Sequence, residues 1–189
     1  GVGRTLLGST LGIAHDAPLP EYHSNTARKR HKDKLAGQAI SSSQARVAVF
    51  ATCYGNRNRP DIVDDLIAVL EHNDIEVRLP ASEHCCGMPK LELGDLKTVA
   101  ALKERNIPVL FELAQSGFVL TACIPSCVLM FKQELPLMFP DDEQVRAVAE
   151  AFRDPFDFLI DLHKQGRLKT DFAEELGTIS YHVPCHLMV

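Results

Sequence analysis

The sequence predicts an α/β fold: a parallel sheet with helices on both of its faces. Three observations lead there. Short apolar, β-branched runs recur along the chain, at residues 46–51, 75–79 and 118–122, and each is separated from the next by a segment with apolar residues at helical spacing. The order is strand, helix, strand, helix, strand, helices, strand. Connections of that length imply right-handed crossovers between parallel neighbours, and a chain of 189 residues with 46% hydrophobic content can bury the resulting core.

Residues 1–45 show no sustained periodicity and are expected to be a linker or docking arm. They hold the turn-prone His15-Asp16-Ala17-Pro18-Leu19-Pro20, a basic run over 28–34 that includes His31 and Asp33, and Ser41-Ser42-Ser43. The basic run is expected to be a solvated face, with contact to a neighbouring domain as the alternative.

Arg46-Val47-Ala48-Val49-Phe50-Ala51 reads as a buried strand, and Cys53 lies just beyond it. Pro60-Asp61 opens a helix carrying Ile62, Leu66, Val69 and Leu70, which Asn73-Asp74 ends. Ile75-Glu76-Val77-Arg78-Leu79 is the second strand, stopped by Pro80, and Cys85-Cys86-Gly87 follows. A longer helical stretch covers 94–116, with an interruption expected at Asn106-Ile107-Pro108, because proline disfavours helix in the residue before it.

Phe118-Val119-Leu120-Thr121-Ala122 is the third strand; Cys123-Ile124-Pro125-Ser126-Cys127 then leads into a helix starting near Val128. Asp141 with Gln144 fits a helix-start capping pattern for a helix reaching Arg153, and a further helix is expected over 155–165. Residues 178–183 read as a fourth strand, with Cys185 after it. The whole describes a Rossmann-like sheet.

Charge narrows the function classes. A formal net charge of −5 and a pI near 5.9 supply no general attraction to nucleic acid or to an anionic membrane surface. No apolar run approaches a membrane span, the longest, over 117–131, being broken by Pro125. No basic stretch followed by an apolar one opens the chain, so a cytoplasmic protein is expected, with thiols that are reduced, catalytic or metal-bound.

The six cysteines carry the chemistry. Neighbours such as Cys85 and Cys86 make poor disulfide partners, because a trans peptide holds their Cα atoms too close for ordinary bridge geometry. A metal cluster suits them better. Each cysteine group follows the carboxyl end of a predicted strand, where parallel α/β sheets bind ligands, so Cys53, Cys85, Cys86, Cys123, Cys127 and Cys185 are expected on one rim. The bland alternative is a set of small core hydrophobes. About four soft thiolates suffice to hold such a cluster, fewer than the six available.

The spacing is Cys53, 31 residues, Cys85-Cys86-Gly87, 36 residues after Cys86, Cys123, three residues, Cys127. It resembles the cysteine-rich CCG domain family, found in the B-subunit of heterodisulfide reductase, the C-subunit of anaerobic glycerol-3-phosphate dehydrogenase and iron–sulfur subunits of glycolate and lactate oxidases. Pro125-Ser126-Cys127-Val128-Leu129-Met130-Phe131-Lys132, Asp154-Pro155-Phe156 and Tyr181-His182-Val183-Pro184-Cys185-His186 look most like the glycerol-3-phosphate dehydrogenase group. The resemblance implies a duplicated architecture. Residues 46–176 would be the first CCG domain and 177–189 the start of a second copy, making the chain a fragment that lacks the rest and a preceding ferredoxin-like segment.

It also implies a four-iron cluster, [4Fe-4S], cubane or noncubane, held by Cys53, Cys85, Cys86 and Cys127, with one thiolate able to bridge. The family's closing pair has two intervening residues where this chain has three, which leaves Cys123 open as a ligand with a structural role equally in view. Cys127 is favoured, since it matches the family motif and is expected at a helix N-terminus, where a thiolate is stabilised. Cys185 would belong to a second, incomplete site. Gly87 lets the backbone pass close to the metal and can donate to cluster sulfurs, or is a turn glycine. His84, His182 and His186 read as loop histidines or outer donors, and Asn56, Arg57 and Arg59 as a solvated loop or an offset to an anionic cluster.

The implied function is electron transfer in an oxidoreductase, from a flavin-containing dehydrogenase subunit towards a quinone or another acceptor, with further iron–sulfur domains as partners. Membrane association would be peripheral, at the inner face and through a partner. Two alternatives stand beside it: cluster-based disulfide reduction, and a zinc-stabilised interaction module. The long gaps between ligands oppose the zinc pattern of two close pairs.

Overall fold

The computed structural model describes residues 2–14, 16–18, 20–35 and 45–187. Its centre is a three-stranded parallel sheet in which β1 (Arg46–Phe50) lies between β2 (Glu76–Arg78) and β3 (Val119–Ala122). Val47 is opposite both Val77 and Val119. The strands alternate as a sheet buried on both faces must. Ala48 and Phe50 point into one apolar cluster, while Val47, Val49 and Ala51 point into the other.

From β1 the chain passes through α3 (Cys53–Arg57) and α4 (Pro60–His72) to β2, with Val63, Ile67 and Leu70 packed on the second cluster. It then returns past β1 on the opposite face. There α5 (Met88–Glu92) and α6 (Leu96–Gln115) bring Met88, Val99, Ile107, Leu110 and Leu113 to the first cluster and deliver the chain to β3. Helices therefore cover both faces, as the sequence predicts. The reversal of direction at β1 puts the switch point of the sheet, where such folds bind ligands, at the carboxyl ends of β1 and β3.

After β3 come α7 (Pro125–Leu129), a π-helical turn at Met130–Glu134, α8 (Leu135–Met138), α9 (Glu143–Ala151) and α10 (Pro155–Lys164). Val145 and Val148 of α9 join the first cluster; Leu162 of α10 joins the second. Phe131, from the π turn, packs edge-on to Phe50 and stacked on Phe152, with ring centroids 5.0 Å apart in each case. Phe152 and Arg153 also run alongside β3. Leu120 pairs with Phe152, the Arg153 amide donates to the Leu120 carbonyl at 2.8 Å, and Thr121 Oγ1 donates to the Arg153 carbonyl.

The N-terminal residues contribute α1 (Val2–Leu11), α2 (Ala27–Arg30) and a 3₁₀ turn at Lys32–Lys34. Ala27 is fully buried against the second cluster. The basic run departs from the expectation of a solvated face. Arg28 pairs with Glu83 in the loop after β2, and, because this segment lies against α4, Arg30 and His31 pair with Asp64 and Lys34 with Glu71. Leu35 pairs with Leu79 and the Leu79 amide donates to the Lys34 carbonyl, so this segment covers the outer edge of β2. His15, Leu19 and Ser41-Ser42-Ser43 lie outside the described residues.

Three expectations are corrected. α6 runs unbroken through Pro108, since burial of Asn106, Ile107 and Leu110 outweighs the local bias of the proline. Asp142, not Asp141, caps α9, accepting from the amides of Gln144 and Val145, and the helix ends at Ala151 rather than Arg153. Residues 178–183 form no strand and pair with none among the described residues, the outer edges of β2 and β3 being taken by Lys34-Leu35 and Phe152-Arg153. No helix among the described residues is long and apolar enough to cross a membrane.

Candidate metal centre

Three loops leave the carboxyl ends of the strands and bring cysteines together. After β1, Thr52 caps α3, its Oγ1 accepting from the Gly55 amide at 2.9 Å, and Cys53 opens that helix. Thr52 has φ 65° and ψ 162°, a region that is nearly glycine-only and costs a β-branched residue on the order of 1–3 kcal/mol. Such a conformation persists only where its surroundings impose it. Here the Glu83 side chain, 4% exposed, accepts from the Ala51 amide at 3.0 Å and from the Thr52 amide.

Burial pushes the Glu83 carboxyl up to about 7, against the lowering influence of Arg28 and the two amides. Arg28 reaches it from α2 with Nη1 at 3.1 Å, while Nη2 donates to the carbonyls of Pro80 at 2.8 Å and Ala81 at 3.1 Å. Its own amide donates to Asn56 Oδ1 at 3.0 Å. One arginine thus touches the loop after β2 and the helix after β1.

The loop after β2 is also fixed from α6. Asn106, 2% exposed, accepts from the His84 amide at 2.9 Å and donates to the Cys85 carbonyl at 3.0 Å. Gly87 then turns left-handed, with φ 103°, to start α5; a Cβ there would stand 3.3 Å from Met130 Cε. The turn needs a glycine.

The sulfurs of Cys53, Cys85, Cys86 and Cys127 are joined in succession. Cys53 hydrogen-bonds to Cys85, Cys85 to Cys86, and Cys86 Sγ lies 3.2 Å from Cys127 Sγ. The Cys85 thiol is strongly lowered by hydrogen bonds from Cys53 and Cys86 and by the Gly87 amide. Cys53 and Cys86 are raised correspondingly, Cys53 by its bond to Cys85 and by burial, Cys86 by its bonds to Cys127 and Cys85. Amides of Tyr54, Gly87 and Met88 donate to the sulfurs of Cys53, Cys85 and Cys86. Among the described residues, no group of three or more histidine, cysteine or acidic side chains is gathered so as to hold a single metal ion.

Cys123 is placed differently. It packs on the second cluster, whereas Cys86 and Cys127 belong to the first, and its Sγ is 3.1 Å from where a Gly55 Cβ would stand. Burial pushes its thiol up to about 12. Cys127 is the third residue of α7, in the first turn as expected. Cys185 is exposed, in a 3₁₀ turn at Cys185–Leu187 that lies against α7. His84 and His182 are exposed, and His186 Nε2 is 3.9 Å from a Glu92 carboxylate oxygen. Arg57 lies over the Tyr22 ring and Arg59 pairs with Asp61, so neither points at the sulfurs.

The sequence reading missed Thr52, Glu83, Asn106 and Arg28. Local patterning carries no trace of Thr52 or Arg28. A carboxylate two residues before the cysteine pair, and an asparagine in place of an apolar residue on the buried face of a long helix, were the available signals.

Residues 47–132 match the family model described as the cysteine-rich domain, CCG. The chain is 29% identical to the C-subunit of anaerobic glycerol-3-phosphate dehydrogenase of Escherichia coli (strain K12), over 97% of this chain and 46% of that protein. It is 34% identical to lactate utilization protein A of Bacillus pumilus, over 75% of this chain and 58% of that protein. With the B-subunit of the fumarate reductase (CoM/CoB) of Methanothermobacter marburgensis it shares 27% identity, over 76% of this chain and 26% of the relative. The chain spans about half the length of the first of these curated relatives. No solved structure matches it.

Proposed function

Because residues 47–132 belong to the cysteine-rich CCG domain family, we propose that this chain contributes an iron–sulfur site to an electron-transferring oxidoreductase subunit. The observation that carries this reading is the gathering of four sulfurs, Cys53, Cys85, Cys86 and Cys127, from three strand ends, with those of Cys86 and Cys127 3.2 Å apart. A cluster takes one or so thiolate per iron, and so suits sulfurs linked pairwise better than a single tetrahedral ion does. When bound, the cluster would supply one-electron redox chemistry, in a four-iron form.

The chain's own residues would do the rest. Cys53, Cys85, Cys86 and Cys127 would ligate, while the amides of Tyr54, Gly87 and Met88 donate to sulfur and so raise the reduction potential. Burial of Cys86 and Cys127 keeps water from one side of the site. Cys123 would be structural: its contacts with Gly55 and the second cluster support that role over ligation. Cys185 would serve a second site formed with the start of another copy at 177–189, as residues 46–176 would form the first domain and 1–45 its arm.

The relatives named as subunits of a dehydrogenase and of a reductase support partner subunits for this chain. In this reading the electron donor would be a flavin-containing dehydrogenase subunit, the neighbours further iron–sulfur domains and the acceptor a quinone or another molecule, in the cytoplasm and at the inner face of the membrane through a partner. The exposure of Cys53 favours a second reading, disulfide reduction at a substrate-accessible cluster.

The test is anaerobic purification of the full-length protein, followed by iron and sulfide analysis and visible spectroscopy. Iron, labile sulfide and a charge-transfer band are expected. Their absence after reconstitution, or one zinc without sulfide, overturns the reading. A spectral change on adding a disulfide selects the reductase, and none selects the relay.

A further inference from the structure

Three side chains outside the thiol set hold the loops on which the thiols sit. We propose that Glu83, Asn106 and Arg28 are positioning residues of the cysteine centre, and that Arg28 extends that centre into the N-terminal segment, outside the residues that match the family. This inference rests on the iron–sulfur reading above and names what fixes its geometry.

Glu83 ties one loop to the other. It stands two residues before Cys85, yet its carboxylate accepts from the amides of Ala51 and Thr52, and Cys53 is the next residue along. Thr52 is the strained residue, at φ 65°. A strained turn relaxes unless held, and the Glu83 bonds hold it on the amide side while the Gly55 amide holds its hydroxyl. Simple electrostatics argues against a buried carboxylate beside thiolates. Its presence there is accounted for by the amides it ties down and by Arg28, which matches its charge.

Asn106 works from the other side. α6 presents Val99, Ile107 and Leu110 to the core, and Asn106 is a buried polar group among them. It uses both ends of its carboxamide on the His84 amide and the Cys85 carbonyl, so the backbone of the first paired cysteine is set by a helix. Arg28 completes the frame. Its guanidinium binds Glu83 and the carbonyls of Pro80 and Ala81, and its amide binds Asn56 in the helix that Cys53 opens. Outer partners of this kind orient ligands that bind metal.

The test uses the full-length protein, reconstituted anaerobically beside Asn106→Ala, Glu83→Ala, Glu83→Gln and Arg28→Gln. Iron and sulfide content, the EPR spectrum of the reduced form, the rate of bleaching by an iron chelator and apoprotein circular dichroism are recorded. We expect apoproteins with parental dichroism, and bleaching about tenfold or more faster in Asn106→Ala and Glu83→Ala with altered EPR line shapes. Glu83→Gln keeps an acceptor for the Ala51 amide and should recover much of the loss, while Arg28→Gln should fall between. Variants that load, bleach and resonate as the parent does overturn the proposal. So do apoproteins that fail to fold, which would make these contacts supports of the fold alone. Parental protein that takes up no iron or sulfide fails the iron–sulfur reading itself.

Discussion

Two cysteine-bearing stretches look alike in sequence and end differently in the structure. Thr52-Cys53 follows the continuous apolar run of β1, and Pro184-Cys185 follows the alternating run of 178–183. The first run became the central strand, paired on both sides. The second pairs with no strand among the described residues and leaves Ile179 72% and Tyr181 62% exposed. The difference teaches that a β-pattern specifies a strand only where a sheet edge is free to receive it. Cys53 is therefore delivered at a fixed place, whereas Cys185 is held by a short turn against α7.

The comparison is broken most forcefully beneath the first site. Phe131→Ala removes the ring between Phe50 and Phe152 and should cost about 3–5 kcal/mol in urea unfolding of the apoprotein; under about 1 kcal/mol would mean that this core is not what anchors β1 and α7. Next in size is Gly87→Ala. The left-handed turn opposes a Cβ by roughly 1–2 kcal/mol, and the methyl must also displace Met130 Cε. Gly94→Ala, with φ 73° and open space around it, isolates the backbone part, so equal losses in the two variants would show that Met130 yields freely.

A smaller effect is expected under the anchored region at Asp142. Its hydrogen bond from Lys103 holds the carboxyl below its ordinary value, burial acting in the opposite sense. A depressed folded pKa means that the pairing contributes fully above the unfolded value of about 3.9 and is lost as pH falls through the lower folded value. Asp142→Asn should be less stable than the parent by on the order of 1 kcal/mol near neutrality, and that gap should close as both are melted at successively lower pH. A gap unchanged down to about pH 2 contradicts the assignment. The smallest effect is expected in the unpaired stretch, where Ile179→Ser in the 189-residue chain should shift stability by no more than about 0.5 kcal/mol.

Much of the scaffold was legible because it is built from local patterns. β1, β2 and β3, α4 and α10 stand where periodicity, prolines and caps put them, and Cys53, Cys85, Cys86, Cys123 and Cys127 follow the strands, whereas Cys185 follows none among the described residues. Pro108 misled because its neighbours Ile107 and Leu110 bury enough surface to keep the helix intact. The run at 178–183 misled because edge availability is a property of the whole sheet. At the centre, the cysteine spacing was readable, but the frame around it was not. Arg28 meets Glu83 across 55 residues, and Asn106 meets Cys85 across 21, pairings with no local signature.

The central claim is that Cys127, and not Cys123, closes the set begun by Cys53, Cys85 and Cys86. The most direct measurement is iron and labile sulfide per chain in Cys127→Ser and Cys123→Ser, each prepared anaerobically beside the parent. The geometry predicts that Cys127→Ser loses most of both, because its sulfur contacts Cys86, while Cys123→Ser keeps them. Parental iron in Cys127→Ser, with loss in Cys123→Ser, would contradict it.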